Sequence, residues 1–145
     1  MTLTDHFSLA EMTFSQTALC KGIDNRAPAD AVAAMRALCT HVLEPIRAHF
    51  GRPVRVSSGY RSAALNRAVG GSASSQHCLG EAADITVPGV DNLRLAKWIR
   101  DNLTFDQVIM EGGWVHVSFR VDRARKSVLT ATFVGGKASY SQGLA

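Results

Sequence analysis

Cysteine is scarce in this chain of 145 residues, and the three present, Cys20, Cys39 and Cys78, are odd in number and far apart. Such spacing fits neither a disulfide framework nor a CxxC zinc site and predicts reduced, mostly buried thiols. No apolar run is long enough to cross a bilayer, so no membrane insertion is expected. The opening MTLTDHFSLAEM has no basic leader and no apolar core of the kind that directs secretion, so synthesis as a soluble cytoplasmic product is expected. Charge of one sign is also in short supply: sixteen Lys and Arg against twelve Asp and Glu leave a formal +4. That balance suits a polyanion such as the cell envelope. The basic residues are scattered except in RVDRARK at 120–126, and no aromatic-rich run accompanies them, which argues against specific nucleic-acid recognition.

What is present is ordinary core material, 46% hydrophobic residues, in a length typical of one domain spanning 1–145. Ser8 with Glu11 three positions later has the pattern of a capping box opening a short helix. From about Pro28 a longer helix is predicted, with Val32, Met35, Cys39, Val42, Leu43, Ile46 and Phe50 on one stripe and a kink at Pro45. RPVRVSS reads as a strand leading into SGYRS, followed by a short helix over 63–68 that stops at Gly70 and Gly71. AADITV is a strand, DNLRLAKWIRDNL a helix with Leu93, Ala96, Ile99 and Leu103 inward, and DQVIM and WVHVSF are strands joined at Glu-Gly-Gly. SVLTATFVGG adds a last strand before a polar tail. Helices first and antiparallel strands later predict an α+β fold with helices packed on one mainly antiparallel sheet.

Within this frame one stretch asks for a partner. In SQHCLGEAAD, Asp84 sits in an apolar strand, where an ionised carboxylate is costly unless paired or bound to a cation. His77 lies just upstream, and alternation in WVHVSF puts Trp114, His116 and Ser118 on one face. Two imidazoles and a carboxylate make a three-ligand zinc site with a fourth position left for water, and a structural His-Asp hydrogen bond is the alternative. Cys78 is a further ligand candidate, although side chains of adjacent residues diverge.

If Gly112 and Gly113 are the centre of a tight hairpin, Glu111 faces Trp114 and Ile109 faces His116. Glu111 then lies diagonal to His116, near enough to act on a water without being a ligand; otherwise it is a solvated residue beside a turn. Arg61 in SGYRS is either a cleft donor for a carboxylate or an oxyanion, or a solvated loop residue. Tyr60 is either a hydrogen-bond donor in the same cleft or a packing tyrosine.

Taken together and in this order, SGYRS, SQHCLGEAAD and WVHVS resemble the zinc D-Ala-D-Ala carboxypeptidase family, which includes cell-wall carboxypeptidases, dipeptidases and phage endolysin peptidases. The resemblance runs over roughly residues 5–120. It implies a hedgehog-type, D-Ala-D-Ala metallopeptidase-like α+β fold and one Zn²⁺ per chain on His77, Asp84 and His116. It further implies Arg61 in contact with substrate or oxyanion, and Ser75 as a small polar neighbour of the first ligand. Many members carry a basic carboxylate three residues before the last histidine, where this chain has Gly113; others use the position five before, which is Glu111. The implied activity is zinc-dependent hydrolysis in the peptidoglycan stem peptide, as a carboxypeptidase or endopeptidase of the endolysin type, from phage or prophage, acting on the wall after release. The alternative is a non-catalytic, zinc-stabilised virion or wall-binding module of the same fold.

Overall fold

The computed structural model describes residues 1–144. A small N-terminal hairpin, β1 (Thr2–Thr4) and β2 (Phe7–Ser8), leads directly into α1 (Leu9–Thr13), where the Ser8 hydroxyl accepts the Glu11 amide as the cap pattern predicts. A second short helix, α2 (Gln16–Lys21), begins at the Ser15 cap. The long helix follows as α3 (Ala29–Leu38), a π-helical turn over Cys39–Leu43, and α4 (Glu44–Phe50). The π turn is how the helix accommodates Pro45. Proline has no N–H to donate, and the Glu44 amide just before it reaches back five residues to the Cys39 carbonyl. Met35, Leu38, Cys39, Val42, Leu43 and Ile46 are fully buried, while Val32 and Phe50 at the stripe's ends are half-buried.

The remaining elements are β3 (Arg55–Ser58), α5 (Ala63–Ala68), a 3₁₀ turn (Gln76–Leu79), β4 (Ala82–Thr86), α6 (Asn92–Asn102), β5 (Gln107–Met110), β6 (Val115–Ser118), β7 (Ser127–Val134) and β8 (Lys137–Gln142). Strands β3 to β8 form one sheet in the order β3-β4-β6-β5-β7-β8, antiparallel except where β7 runs parallel to β5. Residues paired across strands share a face, and the register sorts the two faces by polarity. Ala83 pairs with Val117, Ile85 with Val115 and Val108 with Val117, and all are buried against the helices. The opposite face carries Asp84 paired with His116, and His116 paired with Ile109. The fold is thus α+β, with helices on one face of a mainly antiparallel sheet and a polar site on the other.

Three expectations change. On α6 the buried stripe is Leu95, Ala96 and Ile99, with Leu93 only half-buried, because Leu93 lies about a third of a turn from Ile99 around the helix axis. The polar tail is a strand, β8, returned on β7 through Gly135 and Gly136, both at positive φ. Of the thiols only Cys39 is buried; Cys20 is exposed and Cys78 half-buried.

The basic cluster also has internal work. Asp106, fully buried ahead of β5, accepts hydrogen bonds from Arg123 Nη2 at 3.0 Å, Arg125 Nε at 2.9 Å, the Arg125 amide at 3.2 Å and Gln76 Nε2 at 2.9 Å. Arg120 pairs with Asp122. Burial alone would raise the Asp106 carboxyl pKa, but the hydrogen bonds from Arg125 and Arg123 outweigh it and hold the group well below the usual range. A pKa lower in the folded than in the unfolded state contributes stability above the unfolded value, near 3.9, that is lost as pH falls through the folded one. Both arginines reach water on their far sides, so the effect is smaller than for a fully buried pair. Asp106→Asn is expected to cost about 2 kcal/mol at pH 7 in urea unfolding, with the gap to the parent closing as the pH is lowered from about 4 towards 2. Equal urea midpoints at neutral pH would show that the network does not stabilise the fold.

Candidate metal centre

His77 is set by its short 3₁₀ turn. Ser75 caps the turn, its hydroxyl accepting the His77 amide at 3.2 Å, and the His77 carbonyl accepts the Arg61 amide at 3.0 Å. The ring is then oriented from behind: Nδ1 donates to the Gly59 carbonyl at 2.7 Å, which fixes the tautomer and leaves Nε2 as a lone-pair donor facing Asp84. Gly59 allows this approach because a Cβ there would lie 2.2 Å from the Met12 carbonyl oxygen. Residue 59 must therefore be small for its own carbonyl to reach the imidazole.

Asp84 and His116 come from neighbouring strands in direct register. His77 Nε2 and His116 Nδ1 stand 3.3 and 3.1 Å from the same oxygen, Asp84 Oδ1, and one donor atom from each of the three residues lies within 4.8 Å of the others. Two ligand atoms at about 2.0–2.1 Å from a shared tetrahedral zinc are about 3.3–3.4 Å apart, so the donor set and its spacing both suit Zn²⁺. All three side chains are largely buried. Burial works to raise the Asp84 carboxyl pKa, and hydrogen bonding from His116 Nδ1 works against it, so that the group is held below the usual carboxylate range.

The other carboxylate oxygen, Asp84 Oδ2, faces Arg61 Nη2 at 3.5 Å. Arg61 is tethered further, with Nε on the Ser58 hydroxyl at 3.0 Å and Nη1 on the Asn66 amide oxygen at 3.3 Å. Asn66 is itself buried and donates to the Ser72 carbonyl at 2.8 Å. Arg61 therefore braces the carboxylate that the histidines face, in addition to lining the cleft.

Above these groups opens a cleft of about 590 Å³ whose walls include Arg61, Ser75, His77, Asp84, Glu111 and His116. Six of the residues singled out in the sequence thus meet in one place, and Tyr60 does not join them. It is 8% exposed, belongs to the core, and donates its amide to the Met12 carbonyl. Strand β3 ends at Ser58, so alternation does not carry on to Tyr60. Cys78 lines neither the cleft nor the candidate ligand set among the described residues, and burial pushes its thiol pKa up, away from the thiolate a metal would need. The hairpin register is as expected, with the Glu111 amide on the Trp114 carbonyl. Only Gly112 of the two glycines is at positive φ, so the turn is not type I′. Glu111 is half-buried; burial raises its carboxyl pKa, His116 and Arg61 pull it down, and Asp84 adds to the rise.

Asn66, Gln76 and Asp106 support this site and were not singled out from the sequence. Asn66 lies within α5, Gln76 opens the 3₁₀ turn and Asp106 directly precedes β5, and none has a spacing that distinguishes it from a solvated residue.

A family model described as Peptidase M15 matches residues 5–118. No curated protein gives a match.

His116→Ala or Asp84→Ala is expected to abolish stoichiometric zinc in elemental analysis of purified protein, while Cys78→Ser retains it. Gly59→Ala, which forces the carbonyl behind His77 to move, should weaken zinc binding by about 10- to 100-fold in a competitive chelator titration, with the circular dichroism spectrum unchanged. Undiminished affinity in a folded Gly59→Ala protein would show that the Gly59 contact does not orient the ligand.

Proposed function

The chain belongs to the peptidase M15 family, that of the zinc D-Ala-D-Ala carboxypeptidases, and from this premise we propose that it hydrolyses a peptide bond in the peptidoglycan stem peptide. The observation that carries the reading is the convergence, in one open cleft, of the His77, Asp84 and His116 donor set with a half-buried carboxylate that is not a member of it, Glu111. Zinc held by those three residues supplies Lewis acidity and a water of lowered pKa.

The chain's own residues do the rest. Glu111 takes the proton of the attacking water and returns it to the leaving amine. Its raised pKa brings it closer to the range where a carboxylate serves both as base and as acid. Its place one residue beyond β5 fits this role: it sits on the polar face, diagonal to His116, with its backbone fixed by the bond to Trp114. Arg61 holds Asp84 in the orientation that serves both histidines, and its fixed positive charge at the cleft wall favours the oxyanion that develops at the scissile carbonyl. Ser75 holds the His77 turn.

As part of the same proposal the enzyme is of the endolysin type, from phage or prophage, reaching the wall after its release from the cytoplasm. The formal +4 charge suits an anionic wall polymer.

Glu111→Gln is expected to keep zinc and fold while lowering kcat by at least about a hundredfold, with little change in KM. Gly113→Ala should be nearly silent, since residue 113 is not at positive φ and a Cβ there meets nothing within 4 Å. Digestion of purified sacculi, with the new termini identified by mass spectrometry, reads out both the activity and the bond. A folded, zinc-loaded parent that releases no new termini would point instead to a non-catalytic wall-binding or virion module, and full activity in Glu111→Gln would remove Glu111 as the base.

A further inference from the structure

The C-terminal hairpin lies beyond the residues matched by the family model, yet it builds one wall of the cleft. β5 and β7 align with Ile109 beside Leu129, and β7 and β8 align with Ala131 opposite Tyr140 and Phe133 opposite Ala138. Because Ile109 is also the partner of His116, alternation brings Leu129, Ala131 and Phe133, and with them Tyr140, onto the face that carries the candidate ligands. Phe133 and Tyr140 line the cleft and are 54% and 53% exposed. Two large aromatic side chains therefore stand half in water on the hairpin wall of the cleft, whose remaining lining mixes polar groups such as Ser72, Ser74 and Gln107 with the apolar Val69, Ile109 and Trp114.

Between Glu111 and Tyr140 the sheet carries only Ala131, so the floor there is low. The two groups sense each other across it: burial first, and then the Glu111 carboxylate, raise the Tyr140 phenol pKa. The hairpin is also anchored at its base. The Gly143 amide donates to the Val128 carbonyl at 2.8 Å, the Thr130 hydroxyl donates to the Gly143 carbonyl at 2.7 Å, and Leu144 packs on the core. A supported strand pair holds a binding group more accurately than a free loop does.

We propose that Phe133 and Tyr140 form an aromatic subsite that grips the stem peptide several residues away from the bond being cut. The inference rests on the peptidoglycan-peptidase reading and adds to it where substrate length is sensed. Neighbouring strands are about 4.8 Å apart and an extended peptide advances about 3.4 Å per residue, so three strand steps from β6 to β8 span about 14 Å, or about four residues. A short fragment held at the metal centre does not reach Tyr140. An intact five-residue stem crossing the strands does, and it covers apolar surface that is otherwise left in water.

The test uses the zinc-loaded full chain, with Phe133→Ala and Tyr140→Ser, on soluble stem peptides ranging from five residues down to the shortest fragment that contains the cleaved bond. In the parent, kcat/KM should rise with length. In each variant the ratio of the longest to the shortest substrate should fall by about tenfold, through KM rather than kcat, with zinc content and melting temperature unchanged. An unchanged ratio in both variants would overturn the subsite while leaving the peptidase reading intact. If the parent cleaves no wall substrate, the peptidase reading fails, and retention on purified sacculi then decides the subsite. About tenfold weaker retention of the double variant supports it, and equal retention, or none by the parent, overturns it.

Discussion

The structure is organised around one buried charge. Asp84 is 6% exposed, in the middle of a strand whose neighbours Ala83 and Ile85 are packed into the core. An ionised carboxylate in that position must be compensated on every side. Three cationic or cation-binding groups converge to do so, each delivered by a different device: His116 by cross-strand register, His77 by a capped 3₁₀ turn, and Arg61 by the segment that leaves β3. The same convergence that makes the carboxylate tolerable is the one a tetrahedral metal requires. Stability and metal binding are therefore two uses of a single geometry. Removing Asp84 would release three groups at once, not one.

The compensating groups are held in turn by a ring of polar contacts that ties distant parts of the chain together. Gly59 orients His77 from behind, and Asn66 fixes the far edge of Arg61 while bonding to the loop at Ser72. Gln76, next to His77, reaches Asp106, and Asp106 gathers the arginines that follow β6. That last link explains the one parallel pairing in the sheet. The chain must cross from β6 past β5 before β7 can pair on its far side, and the Arg123 and Arg125 bonds to Asp106 pin the crossing segment where β5 starts. The position of the C-terminal hairpin thus depends on the same buried carboxylate that steadies the His77 turn.

Much of this was legible in the sequence, and the reasons differ from residue to residue. His116 and Asp84 could be placed because strand alternation is a local rule, and the Gly-Gly hairpin set the register that brought Glu111 to the same face. Tyr60 could not, because whether a residue just past a strand end follows the alternation depends on where the strand stops. Leu93 and Leu95 compete for the buried stripe of α6, and periodicity alone does not fix which side of a helix faces the sheet. KASYSQ reads as a polar tail because only Ala138 and Tyr140 are apolar in it, although the Gly135-Gly136 dipeptide before it marks a two-residue hairpin. Asp106 carried no signal at all: its partners lie in a segment that composition presents as a basic surface patch.

The division of labour along the chain follows from these contacts. Residues 5–118, those matched by the family model, contain the whole donor set, its braces and Glu111. The strands after them add nothing to the donor set, but they extend the polar face by two strands and convert an open sheet edge into a walled cleft. Chemistry at a fixed centre needs groups placed to within fractions of an ångström, and here that accuracy comes from register, a capped turn and buried hydrogen bonds in the matched part. Recognition of a longer substrate needs surface several residues away, where a hairpin anchored only at its base is accurate enough. The two requirements are met by different segments, and Asp106 is the point at which a change in one would be felt by the other.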